Sequence, residues 1–207
     1  MSRLNFETLL QESVAMHGHL CPGQVLGVRM SMLGLREIGI SEPKEKDRKN
    51  LIVFVEMDRC ATDAVQSVTG CSLGKRSMKF FDYGKMAATY MNLTTNEAVR
   101  VVAKEDSREK AKGLFPGIES KYMAQLEAYK VMLDDDLFDV MEVAVKVRPE
   151  DMPGRPMRRV RCDSCGEHVQ DMREIYQDGS VLCVACAQGG YFEVKNTFLA
   201  MRYAEKP

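Results

Sequence analysis

The chain contains no tryptophan and only three histidines among 207 residues. It also lacks any apolar run near the roughly 20 residues that a membrane-spanning helix needs, so no membrane partner is expected. Charge of one sign is missing too: 29 Lys and Arg stand against 30 Asp and Glu, for a formal net charge of -1. That balance argues against a chain that binds nucleic acid through its overall field. The amino-terminal stretch MSRLNFETLLQESVAMHGHL has no continuous apolar segment and no small-residue cleavage site, and Glu7 and Glu12 interrupt it. It does not read as a secretory signal, and the expected compartment is the cytoplasm. There, an odd set of 7 cysteines points to metal ligands or reactive thiols rather than disulfides.

Apolar residues spaced three to five apart predict a helix over residues 3–16. Pro22 suits the first turn of a second helix, running through Leu35 or Ile38 to Gly39. Residues 41–50, SEPKEKDRKN, read as a solvated loop. The β-branched run 51–58 reads as a buried strand, followed by a helix over 61–69 capped by Gly70. Strands are expected at 77–81, 86–93, 98–104 and 138–147, with helices at 105–113 and 119–133. The order predicts an α+β fold, helices packed on a mixed or antiparallel sheet. Arg148–Pro156 holds three prolines and a glycine and reads as a linker. The expected division is a core of 1–150, a linker of 151–157 and a small module of 158–207.

That module carries Cys162-x2-Cys165 and, seventeen residues on, Cys183-x2-Cys186. The spacing is that of a four-cysteine zinc ribbon, each pair forming a knuckle that aims two thiolates at one ion. Gly166 follows the first knuckle, where the backbone must be permissive. Asp178-Gly179 between apolar residues predicts a two-residue hairpin that brings the second knuckle to the first. Four cysteines close the shell, so the site is structural and His168 is left out of it. Arg158, Arg159, Arg161 and Arg173 offset the negative charge of such a site. Tyr191, Phe192 and Phe198 are expected to dock the tail on a core.

A second cluster lies near the amino end. His17, His19 and Cys21 alternate, and an extended backbone would turn all three to one side. Cys21 and Cys60 each stand at a helix start, where the dipole favours thiolate. Together the four suit a transition metal such as zinc, iron or nickel, with a coordination position open to substrate, or else a nucleophilic thiol. Asp63 and Gln66 share a helix face. Asp63 either orients a metal-bound histidine, acts as a general base, or simply favours its helix start. Gly70-Cys71-Ser72-Leu73-Gly74-Lys75-Arg76 is one residue short of a Walker loop and has Arg76 in place of Ser or Thr. It is not read as a nucleotide loop, though Lys75 could hold an anion. Cys71 either joins the pocket or is an inert buried thiol.

Three motifs occur in order: His17-Gly18-His19-Leu20-Cys21-Pro22-Gly23, then Cys60 to Lys75, then Asp82-Tyr83-Gly84-Lys85. Together they resemble the FmdE family, named for formylmethanofuran dehydrogenase, over roughly residues 8–145. The resemblance implies an α+β core, a homodimer, and a metal pocket around the His/Cys motif, with Lys75, Tyr83 and Lys85 as cofactor-binding candidates. It also implies association with molybdenum or tungsten oxidoreductases of methane metabolism. No further iron–sulfur cysteine run and no pterin motif is present, which argues that this chain is not itself the redox catalyst. Three functions compete: an enzyme or its accessory subunit, a carrier of a metal, metal cofactor or small anion, and a ligand-sensing regulator acting through the ribbon.

Overall fold

The computed structural model describes residues 5–193 and residue 195. Contacts divide them into two units. The first holds the described residues up to Arg148 together with Met152–Gly154; the second holds Pro149–Asp151 and those from Arg155 onward.

In the first unit, helix α1 spans Phe6–His17. It starts at Asn5, whose side-chain oxygen accepts the Thr8 N–H at 3.0 Å, a capping bond that satisfies one orphan donor. It stops at Gly18, whose left-handed φ of 98° turns the chain while its N–H reaches the Val14 carbonyl. Helix α2, Pro22–Glu37, begins on the proline as the sequence requires. Strand β1 (Leu51–Val55), helix α3 (Cys60–Thr69), and strands β2 (Met78–Phe80), β3 (Ala87–Asn92) and β4 (Ala98–Ala103) follow. Helices α4 (Ser107–Leu114), α5 (Lys121–Val131) and α6 (Asp134–Leu137) lead to strand β5 (Phe138–Glu142). The sheet order is β2-β1-β3-β4-β5, with β1 and β2 parallel and the other pairs antiparallel. The sheet is therefore mixed, and the α+β class stands.

Alternation along the strands gives the sheet two unlike faces. Leu51, Val53, Val55, Tyr90, Val99 and Val101 join the helices in the main core. Ile52, Met91 and Ala98 point the other way, under Phe54, Val143, Val145 and Val147. The strand expected over 138–147 thus ends at Glu142, and its apolar continuation covers the sheet instead of extending it. The strand expected over 51–58 ends at Val55. Next to it, the buried Glu56 carboxylate accepts two N–H bonds from Arg100, at 2.6 and 2.7 Å. A carboxylate inside an apolar run needs such a bidentate partner.

Helices α2 and α3 meet at unusually short range. A Cβ added at Gly27 would lie 2.7 Å from the Ala61 carbonyl and from Ala64 Cβ. One added at Gly23 would lie 2.9 Å from Cys60 Cβ. Hydrogen side chains at both positions let the start of α3 sit on the start of α2. Among the described residues, no helix is long and apolar enough to cross a membrane.

The second unit pairs β6 (Arg159–Arg161) with β7 (His168–Gln170) and β8 (Ile175–Gln177) with β9 (Ser180–Leu182), then adds helix α7 (Val184–Gln188). Asp178 and Gly179 have φ of 50° and 79°, the pair of positive values that a type I′ hairpin demands. The expected docking of the tail does not occur where it can be seen. Tyr191 is fully exposed and Phe192 is exposed, the two rings meeting each other edge-on at 5.1 Å. Phe198 lies outside the described residues.

Candidate metal centre

In the second unit, β6 and β7 pinch the Cys162–Gly166 knuckle, and Gly166, at φ 78°, returns its N–H to the Cys162 carbonyl at 3.0 Å. Cys183 caps α7 and Cys186 lies within it. Asp163 ties the two halves, its N–H donating to the Val181 carbonyl and its carboxylate accepting the Val181 N–H, at 2.8 and 2.7 Å. The four sulfurs lie within 4.8 Å of one another. Tetrahedral zinc with bonds of about 2.3 Å sets neighbouring sulfurs about 3.8 Å apart. Cys165 and Cys183 are 3.9 Å apart, so the donors fit the ion. The backbone N–H groups of Cys165 and Cys183 hold the Cys162 thiol down at about 6, which prepares it as a thiolate. The basic residues turn inward to local partners: Arg158 to Glu174 and Tyr176, Arg161 to the Gly166 carbonyl, Arg173 to Asp151.

In the first unit, the imidazole nitrogens of His17 and His19 and the Cys21 sulfur converge within 4.8 Å of one another. They do so by a route other than an extended strand. His17 is the last residue of α1, Gly18 reverses the chain, and Cys21 is the extended cap before Pro22. The two rings sit 4.6 Å apart. His17 is partly buried, His19 is at the exposed rim, and Cys21 is buried. Cys60 opens α3 beside them: the point where a Gly23 Cβ would stand is 2.9 Å from Cys60 Cβ and 3.7 Å from Cys21 Sγ. Tetrahedral ligands at bonds of about 2.0–2.3 Å stand about 3.3–3.8 Å apart, so a shift of about 1 Å would close the set on an ion.

Two features give the cluster a direction. Asp63 Oδ2 lies 2.7 Å from His17 Nδ1. The opposite ring nitrogen, His17 Nε2, is buried with no hydrogen-bond partner among the described residues. A carboxylate on Nδ1 fixes the tautomer that leaves Nε2 as a bare acceptor. The expectation that the helix dipole makes Cys21 a free thiolate is corrected. Burial pushes its thiol up, and the adjoining Cys60 thiol adds to this, against the N–H groups of Gln24 and Gly23. A recess of about 470 Å³, lined by His17, Arg59, Cys60, Thr62 and Asp63 among others, opens the cluster to solvent.

Other candidates fall elsewhere. Gln66 is a turn further along α3 and partly buried; its carbonyl accepts the Gly70 N–H. Lys75 is a correction: its ammonium donates to the Gly70 carbonyl at 2.9 Å, at the far end of α3 from Cys60. Ten residues of helix separate those ends by about 15 Å. Tyr83 and Lys85 are exposed and meet each other and Phe81, not the cluster. Cys71 is buried against the Leu51 carbonyl, an inert thiol pushed up by burial. Sequence reading missed two residues. Gln24, fully buried, takes the Ser13 hydroxyl and donates to the Cys60 carbonyl at 2.5 Å. Tyr122 donates to the Leu20 carbonyl at 3.2 Å. A polar residue in a helix stripe that is otherwise apolar was the available signal for Gln24. Nothing local marks Tyr122, which is about a hundred residues from its partner in sequence.

Fold and sites together define a metal-binding α+β core followed by a four-cysteine zinc finger. Residues 16–147 match the family described as FmdE, Molybdenum formylmethanofuran dehydrogenase operon. Residues 156–190 match the prokaryotic dksA/traR C4-type zinc finger. The chain belongs to the FmdE family. A protein of Archaeoglobus fulgidus named "Probable S-adenosyl-L-methionine-binding protein" is 31% identical over 90% of this chain. This chain spans about half of that relative, 54%. A crystal structure of an FmdE-like protein of tungsten formylmethanofuran dehydrogenase, from Syntrophus aciditrophicus, has a TM-score of 0.59 at 22% identity. That likeness covers 93% of this chain and all of the other, and it establishes a shared fold.

Proposed function

We propose that His17, His19, Cys21 and Cys60 hold a transition metal, and that the chain serves as a metal-bearing accessory protein in one-carbon oxidoreductase chemistry. One observation carries the metal: a buried imidazole nitrogen with no partner, backed by a carboxylate on the other nitrogen, facing a second imidazole and a thiol. Leaving such an acceptor unpaired in a protein interior costs about 1–3 kcal/mol, which a bound ion recovers. A mixed imidazole and thiolate set suits zinc first, then iron or nickel. When bound, the metal supplies a Lewis-acidic centre with access through the recess. Asp63 orients His17, Gln24 pins the Cys60 backbone, and Arg59 places a cation at the mouth. The link to molybdenum or tungsten enzymes rests on the family description and on the name of the structural neighbour.

The test is elemental analysis of the full chain by mass spectrometry. The wild type should carry one metal in the ribbon and a second in the core. Cys21→Ser and Cys60→Ser should each lose the second while keeping their circular dichroism. Unchanged metal content in both variants would overturn the assignment. A carrier differs from an enzyme in releasing its metal to a partner without consuming substrate. The curated relative's name adds S-adenosyl-L-methionine as a ligand to titrate against the same variants.

A further inference from the structure

The loop after α3 and the charged loop after α2 meet around a cavity of about 540 Å³ within the first unit. Its lining includes Lys44, Arg48, Lys49 and Lys75, with Gly70 and Ser77, and no carboxylate. The chain as a whole is electrically balanced, so four cations on one concave wall are a local departure from its composition. Two of the four already have partners. Lys44 pairs with Glu12 at 2.5 Å, and Lys75 bonds the Gly70 carbonyl at the end of α3. Arg48 and Lys49 have no ion pair among the described residues, although acids lie close in the chain. Glu42 is drawn to Lys46, and Asp47 accepts the N–H groups of Ser41 and Glu42.

The backbone of the Gly70–Arg76 loop does not serve as an anion nest. The Gly70, Cys71, Ser72, Lys75 and Arg76 N–H groups are bonded to Gln66, Thr69, Ser77, Ser72 and Leu73. Recognition there must come from side chains. Such a cleft of one sign concentrates counter-ions. Its volume falls in the range of about 300–1,000 Å³ typical of small-ligand sites. A guanidinium fork beside ammonium point charges matches phosphate better than a single carboxylate.

We infer that this cavity binds a small anion carrying two or more phosphate groups, held by Arg48 and Lys49 with Lys44 and Lys75 behind them. It lies at the opposite end of α3 from the His/Cys cluster, so it stands or falls independently of the metal there.

Fructose 1,6-bisphosphate is a suitable probe, since it chelates zinc weakly and leaves the ribbon intact. Calorimetric titration of the full zinc-loaded chain should show saturable one-to-one binding. Fructose 6-phosphate should bind at least tenfold more weakly and fructose not at all. Affinity should fall on raising salt from about 50 to 200 mM, as screening of exposed charges requires. Arg48→Glu with Lys49→Glu should weaken binding at least tenfold, with thermal unfolding and metal content unchanged. No saturable binding, equal binding of fructose, or indifference to the double substitution would each overturn the assignment. So would tighter, competitive binding of a single-stranded oligonucleotide.

Discussion

The two metal-ligand clusters of this chain are built in opposite ways. In the core, the donors rest on three helix ends whose positions are set by apolar packing: His17 closes α1, Cys21 caps α2, Cys60 opens α3. Val25, Val28, Ala61, Ala64 and Val65 bury those helices completely, and the site would keep its shape without an ion. In the ribbon the strands are three residues each and their side chains are largely exposed. Of its hydrophobic residues, Cys162 is the buried one among those described. The core positions its metal ligands by folding; the ribbon folds by gathering its ligands on zinc.

The strongest way to break that contrast is to remove metal. Apparent zinc binding in small ribbons is worth about 10–16 kcal/mol, which exceeds anything residues 159–188 can gain from burial. Chelation, or Cys162→Ser, should therefore abolish hydrogen-exchange protection across the ribbon while β1, β3 and α2 remain protected. Ribbon protection that survives complete zinc loss would remove the contrast.

The reverse test perturbs core packing. Gly27→Val places branched atoms where even a Cβ would come within 2.7 Å of the Ala61 carbonyl. Overpacking of that kind costs about 1–3 kcal/mol, and backbone contact puts this case at about 3. Urea unfolding should show that loss, together with weaker binding of the core metal, because α3 carries Cys60. Gly113→Ala in α4, with nothing within 4 Å, is the control, expected to gain about 0.5–1 kcal/mol. Equal effects at the two glycines would mean that the α2–α3 approach is not tight.

These results bear on why some of the molecule was legible in sequence and some not. The ribbon is encoded locally: Cys-x2-Cys spacing, Gly166 and Asp178-Gly179 each dictate a backbone shape within a few residues. The helices and β1 were legible by periodicity for the same reason. The core cluster was only half legible. His17, His19 and Cys21 stand out as chemistry, but their convergence depends on a helix ending at Gly18, not on strand alternation. Asp63 reaching His17 is a contact across 46 positions, which no local rule predicts. Lys75 was misjudged because a glycine-rich loop looks the same in sequence whether its amides face a ligand or are used inside the loop. Glu56 was hidden in an apolar run, because its partner Arg100 arrives from another strand.

A finer comparison concerns how each centre is supported. In the core the outer support is Asp63 on His17 Nδ1. Asp63→Asn keeps the shape and removes the charge. Loss of such a carboxylate lowers metal affinity by about 10–100-fold, or roughly 1.4–2.8 kcal/mol. Competition with a chromogenic chelator should show that loss in the core metal alone, with ribbon zinc unmoved. An unchanged core affinity would reduce Asp63 to a helix-start residue.

In the ribbon the corresponding support is the hairpin that delivers Cys183. Gly179 sits at φ 79°, where a side chain costs about 1–2 kcal/mol. Gly179→Ala should thus weaken zinc binding to the ribbon by about fivefold to thirtyfold, since the strain is borne in the state that holds the metal. The global unfolding midpoint of the core should not move, because contacts place Gly179 in the second unit. The same substitution at Gly84, also at positive φ but in the core unit, should do the reverse: lower core stability and spare ribbon zinc. Were the Gly179 variant to destabilise the core as well, the two units would be energetically coupled, and the separate logic of the two centres would have to be given up.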